Sequence, residues 1–186
     1  VLKQLEINKE QHDNLLPYVI SAQNGIDTEI PLAKAFGIDK TLRMVINFAS
    51  NLNAPNVANV TFFNPPNYIA SLDGSAEAIA SQFAKTLTKV GLETIAVDSG
   101  EIVKKVWHKT ILNASLSALC GLTNLTMKEV MDKEGTIEIV KQTLDESIKV
   151  AEAKGIHFGD GFLDKCLGYL KNTGNHLPSL ADDLLH

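Results

Sequence analysis

One stretch, EIVKKVWHKTILNASLSALCGLTNLTM at Glu101–Met127, constrains this chain more than any other, because from Thr110 to Met127 it carries no charged side chain. Ile102, Val103, Val106, Ile111 and Ala118 recur at helical period, so the stretch predicts a long helix whose uncharged part is buried. Lys109, Asn113 and Ser117 stand at i, i+4 and i+8 and therefore line one stripe of that helix. An amine followed one and two turns later by an amide and a hydroxyl could hold and protonate a small polar substrate. A plainer reading stands beside it. Glu101, Lys105 and Lys109 share the same spacing, as a solvated salt-bridging face does. Buried Asn and Ser on helices are often simply hydrogen-bonded core residues. Spacing alone leaves both open.

The rest of the composition narrows the class. A length of 186 residues allows one good core or two small domains. The net charge is −5 and no Lys/Arg-rich block exists to neutralise phosphates, which argues against a nucleic-acid surface. The uncharged stretch contains Asn113, Ser115, Ser117 and Asn124 and is too polar for a lipid-facing span. Cys120 and Cys166 lie far apart without metal spacing, as free thiols in a reducing cytoplasm would. His108, His157 and His176 are scattered, so no metal is expected. The opening residues, from Val1, lack the pattern of a signal peptide, and LADDLLH breaks off inside a helical pattern. The chain reads as a piece of a longer protein.

Taken in order, Val1 to Leu16 has helix-like spacing and Pro17 ends it. YVISAQNG predicts a buried strand running into a tight turn at Asn24-Gly25. A short helix from Asp27, as N-cap, to Phe36 follows, with Gly37 as its stop. Strand, turn and helix in succession are the grammar of an α/β nucleotide-binding sheet, where ligands lie beyond the carboxyl ends of the strands. Gln23, Asn24 and Gly25 would sit there, although for the dipeptide alone a plain hairpin-type Asn-Gly turn is the favoured reading. LRMVINFASNL and NVTFFNPPNYIASL predict two antiparallel strands appended to the sheet, the second at an edge because of Pro65-Pro66. Ser75–Val90 is an amphipathic helix closed by Gly91, and ETIAV one more strand. From Asp98-Ser99-Gly100 onward everything is helical, giving domains at 1–98 and 99–186. Thr126 and Glu129 form a capping-box signature for a helix at Met127–Asp132. Thr136–Lys154 is a long helix, Asp160 caps another at Phe162–Leu170, and Pro178-Ser179 begins a last one.

In this order, AQNGI, WHKTILNASLSAL, DESIKVAEAKGI and PSLADDL resemble the ketopantoate reductase family, over the later two-thirds of a typical member. Trp107, Lys109 and Asn113 are the most specific part of the likeness. The resemblance implies the end of a Rossmann-like nucleotide-binding domain followed by an all-helical C-terminal domain like that of 6-phosphogluconate dehydrogenase. It implies NADPH-dependent reduction of a 2-keto acid, ketopantoate, to a 2-hydroxy acid in pantothenate biosynthesis, in the cytoplasm. Lys109 matches the family's general acid, Asn113 and Ser179 its substrate-binding residues, and Asn24 the asparagine beside the nicotinamide. Glu146 matches the vicinity of a glutamate that could orient the lysine, the alternative being a surface ion pair with Lys149.

Two departures accompany the likeness. Ser117 stands where many members have a second asparagine, a departure that leaves a different preferred keto acid open. The G-x-G-x-x-G phosphate loop is absent from these residues, so the NADPH-binding loop lies outside this chain. A related 2-hydroxy-acid or opine-type dehydrogenase, and an inactive helical dimerisation module, are the alternatives. A small-molecule substrate is expected, with neither nucleic acid nor membrane, and a homodimer stays open.

Overall fold

The computed structural model describes residues 17–172 and 174–185. The helix expected over Val1–Leu16 lies outside them. The chain forms two compact units, divided between Val106 and Trp107.

In the first unit, β1 (Val19–Ser21) leads through α1 (Ile30–Phe36) and a 3-10 turn (Ile38–Lys40) to β2 (Thr41–Val45), which lies parallel to β1. The N-cap of α1 is Glu29 and not Asp27, whose φ is 61° and whose carbonyl accepts from the Ile30 amide at 3.2 Å. Pro31, in the first turn, sets the helical φ and removes one amide needing a cap. Gly37, at φ 95°, lets the chain leave the helix as expected.

The two strands expected beyond Leu42 are four. β2 and β5 (Asn67–Ser71) pair antiparallel, and β6 (Thr94–Ala96) adds parallel to β5, giving the order β1-β2-β5-β6. The outer halves, β3 (Phe48–Ala54) and β4 (Val57–Phe63), leave that sheet as a separate hairpin turned at Pro55-Asn56, with Asn56 at φ 65°. Pro65-Pro66 therefore marks no edge strand: β5 is interior, and the prolines stand just before it, where the ladder asks for no amide. Asn67 secures this corner. Its Oδ1 accepts from the Asn47 amide at 2.8 Å and its Nδ2 donates to the Glu93 carbonyl at 3.0 Å.

Alternation along the strands divides the sheet's side chains between two faces. Leu42, Met44 and Ile69 pack with Ala76, Ala80 and Ala84 of α2 (Glu77–Lys89) and its approach. Val45 and Ala70, on the other face, pack with Ile102 and Val106 from the first turns of α3 (Ser99–Thr123). Asp98 Oδ1 accepts from the Glu101 amide at 2.8 Å at the start of α3. The fold is thus the α/β end of a Rossmann-like domain followed by a helical part.

The second unit holds the rest of α3, α4 (Met127–Asp132), α5 (Glu134–Ala153), α6 (Phe162–Lys171) and α7 (Ser179–Leu185). Its core joins Ile111, Leu116 and Cys120 to Val130, Val140, Leu144, Cys166, Leu170 and Ala181. The Thr126–Glu129 capping box forms as expected. Asp160 is not a cap, since the N-cap of α6 is Gly161 in the left-handed region. The uncharged stretch is not buried throughout. Ile111, Ser115, Leu116 and Cys120 take the inner face, whereas Asn113 and Ala118 are exposed and Leu122 is 86% exposed. Val103, assigned to the apolar body, is also exposed. Helical packing buries one side, and here the outer side is merely uncharged.

Candidate functional site

Lys109, Asn113 and Ser117 all lie on α3 in the helical unit, Asn113 exposed and the other two half-buried. Four residues further along the same spacing is Gly121. A Cβ added there would lie 3.0 Å from Leu184 Cδ1 and 3.8 Å from Ala181 Cα, so the missing side chain lets α7 approach α3 closely. α7 begins at Ser179, two residues before Ala181. The stripe therefore runs toward the helix that carries Ser179. Lys109 and Gly121 are separated by roughly 18 Å along the axis, at 1.5 Å per residue.

The approach to α7 is tied to the start of α4. The Met127 amide donates to the His176 carbonyl at 3.1 Å, and the Thr126 hydroxyl bonds Asn175 Oδ1 at 2.7 Å. Thr126 also holds the Glu129 carboxyl below its ordinary pKa by hydrogen bonding. Beside Lys109, the His108 ring meets the edge of Phe162 at 5.1 Å, and Phe162 stacks on Phe158 at 4.0 Å. His108 thus packs on α6. Trp107, the other neighbour in the motif, packs half-buried against the helical core.

Glu146 is exposed on α5. Lys149, the surface partner considered for it, bonds Asp145 Oδ2 at 2.6 Å. Asp145 is also the main cause of the raised Lys149 pKa, with smaller contributions from Glu146 and Glu152. Among the described residues, no three His, Cys, Asp or Glu side chains gather as metal ligands would. No helix among them is long and apolar enough to cross a membrane.

Asn24 belongs to the sheet unit and is exposed just past the carboxyl end of β1. The turn around it is built on a residue that the sequence reading passed over. Arg43, opposite Ser21 on β2, is 3% exposed. Its Nη1 donates to the carbonyls of Ser21 at 3.0 Å and Gln23 at 2.8 Å, and its Nη2 to that of Gly25 at 2.8 Å. Nε faces Glu29 Oε2 at 3.3 Å. Burial pulls the guanidinium below its ordinary pKa and Glu29 pulls it back up. Ser21 adds a hydroxyl donated to Gln23 Oε1 at 2.8 Å and a hydrogen bond with Thr28 Oγ1 at 3.0 Å. A lone arginine inside LRMVI was the available signal, because a buried charge requires a partner.

Residues 101–186 match the family model described as ketopantoate reductase PanE/ApbA C terminal. A 2-dehydropantoate 2-reductase of Streptococcus pyogenes serotype M1 is 23% identical over 171 residues, covering 90% of this chain and 54% of the relative. The chain therefore spans about half the length of that relative. Among solved structures, a complex of D-mandelate dehydrogenase with NADH superposes with a TM-score of 0.80 at 21% identity, covering 99% of this chain and 63% of that one. The 2-dehydropantoate 2-reductase of Geobacter metallireducens GS-15 gives 0.77 at 21% identity, covering 98% and 62%. At these identities the superpositions show the fold.

Proposed function

We propose that the protein containing this chain reduces ketopantoate to pantoate with NADPH, a reading that starts from the match of residues 101–186 to the model described as ketopantoate reductase PanE/ApbA C terminal. The observation that carries the reading is the Lys109–Asn113–Ser117 stripe on α3, within the matched residues, together with the packing of α7 at Gly121. Bound NADPH would supply the hydride to the keto carbon. As negative charge grows on the keto oxygen, the Lys109 ammonium stabilises it and donates the proton that completes the 2-hydroxy acid. Lysine then regains its proton from water. The Asn113 amide and the Ser117 and Ser179 hydroxyls orient the substrate's polar groups.

Among the described residues, Asn24 is the one proposed to lie at the cofactor. Its exposure at the carboxyl end of β1 fits the nicotinamide end of such a site. The G-x-G-x-x-G phosphate loop is not in the sequence. Glu146 is proposed to orient Lys109, and a Glu146→Gln variant with an unchanged pH–rate profile would remove that role.

The test is NADPH oxidation by the intact polypeptide with ketopantoate. Lys109→Ala should lower turnover by roughly 100-fold or more. If wild type is inactive too, the assignment fails. A second reading, a 2-hydroxy-acid dehydrogenase for another keto acid, is favoured by Ser117, whose hydroxyl reaches less far than an asparagine amide. A panel of 2-keto acids that includes the keto form of mandelate separates the two by kcat/KM.

A further inference from the structure

We propose that Arg43 is a positioning residue that sets the working shape of the Asn24 turn. The inference rests on the reading of Asn24 as a substrate- and nicotinamide-side residue.

The β ladder of β1 ends at Ser21, so the carbonyls that follow need other partners. Arg43 supplies them. The planar guanidinium carries donors in a fixed fork, and this fork reaches the carbonyls of Ser21, Gln23 and Gly25. The carbonyls of the Gln23–Asn24 and Gly25–Ile26 peptides are thereby turned toward the buried guanidinium. Asn24 itself is left exposed between them. Gly25, at φ 103°, accepts the backbone reversal this requires. Glu29, just before α1, faces Nε and balances the charge.

On the same sheet face Val45 and Ala70 are apolar and the buried Ser21 and Thr41 carry only hydroxyls, so among the described residues Arg43 is the one charged side chain buried there. A buried arginine is costly unless it is paired and hydrogen-bonded. Here its shortest bonds converge on one turn, with a longer one, 3.4 Å, to the Met44 carbonyl of its own strand. Lysine would keep the charge and lose the fork, since an ammonium is a point donor on a flexible stem.

The test uses the intact polypeptide and two readouts, amide hydrogen exchange over residues 22–27 and NADPH oxidation with ketopantoate. In Arg43→Lys, exchange over 22–27 should accelerate about tenfold or more while the amides of α2 keep their protection. The kcat/KM should fall roughly 10- to 100-fold, the scale of a small misplacement of a reacting group. In an Asn24→Ala background the same substitution should cost less than about threefold, because the two changes act through one group. Where Arg43→Lys does not fold, the paired Arg43→Gln, Glu29→Gln variant, which leaves no buried charge, serves in its place.

Unchanged exchange over 22–27 in a folded variant, with turnover still sensitive to Asn24→Ala, overturns the role of Arg43 alone. Fully multiplicative losses in the double variant overturn it as well. Turnover indifferent to Asn24→Ala overturns the role assigned to Asn24, and the positioning role with it.

Discussion

Single side chains in this protein take their character from which face of an element they occupy. Cys120 and Cys166 are fully buried in the helical core, and burial pushes both thiols up to about 11. The neutral thiol is the form the fold favours. As pH rises from about 9 the unfolded chain loses these protons first, so stability should fall between about pH 9 and 11. Native protein at pH 8 should react with neither cysteine in a thiol-colour assay, and denatured protein should react with two. Rapid reaction of the native state would show that the core opens there. Arg43 is the counterexample to burial by polarity, being charged and yet nearly inaccessible because backbone carbonyls and Glu29 surround it.

At the scale of elements, α3 and α7 are related by the lack of a side chain. Gly121→Ala adds a Cβ against the flexible tip of Leu184 and gains helix propensity, so it should fold with near-native stability. Gly121→Val drives its branches toward Ala181 and should push α7, with Ser179, away from α3. The expected outcome is about a tenfold lower kcat/KM for the keto acid, with stability lowered by roughly 1–3 kcal/mol in urea denaturation. A Gly121→Val protein with native kinetics would detach α7 from the substrate site. The capping box at Thr126 was legible in advance because its two residues are close in sequence and bond reciprocally. The N-terminal cap of α1 was not, because Pro31 makes a side-chain cap dispensable and Asp27 could take up the turn instead.

For the molecule as a whole, stability is vested in separate apolar clusters. Leu144 is wholly buried among residues of α3, α4, α6 and α7 in the helical cluster. Leu144→Ala should destabilise the helical unit by about 2–5 kcal/mol, read from the loss of helical signal on chemical denaturation. A cost below about 1 kcal/mol would mean that the helices close over the cavity. The sheet's own cluster, centred on Leu42, Met44 and Ile69, contains none of these residues. The sheet's hydrogen bonding should then be indifferent to the change, which amide exchange over β2 and β5 checks.

The sequence by itself determined most of the helices, the α/β character of the first part, and the stripe of Lys109, Asn113 and Ser117, since each follows from periodicity, local caps and breakers within a few turns of chain. The family match over residues 101–186 agrees with the resemblance carried by WHKTILNASLSAL. Only the tertiary structure decided that the two long β-rich segments divide into an interior pair and a separate hairpin, because pairing depends on partners far apart in the chain. It alone decided which side of the uncharged helix is covered, since a stretch without charges gives no sign of its inner face. It also joined Arg43 to the Asn24 turn, a contact spanning some twenty residues that no local pattern announces. Local geometry is written in neighbouring residues, whereas burial and long-range pairing are settled by packing the whole chain at once.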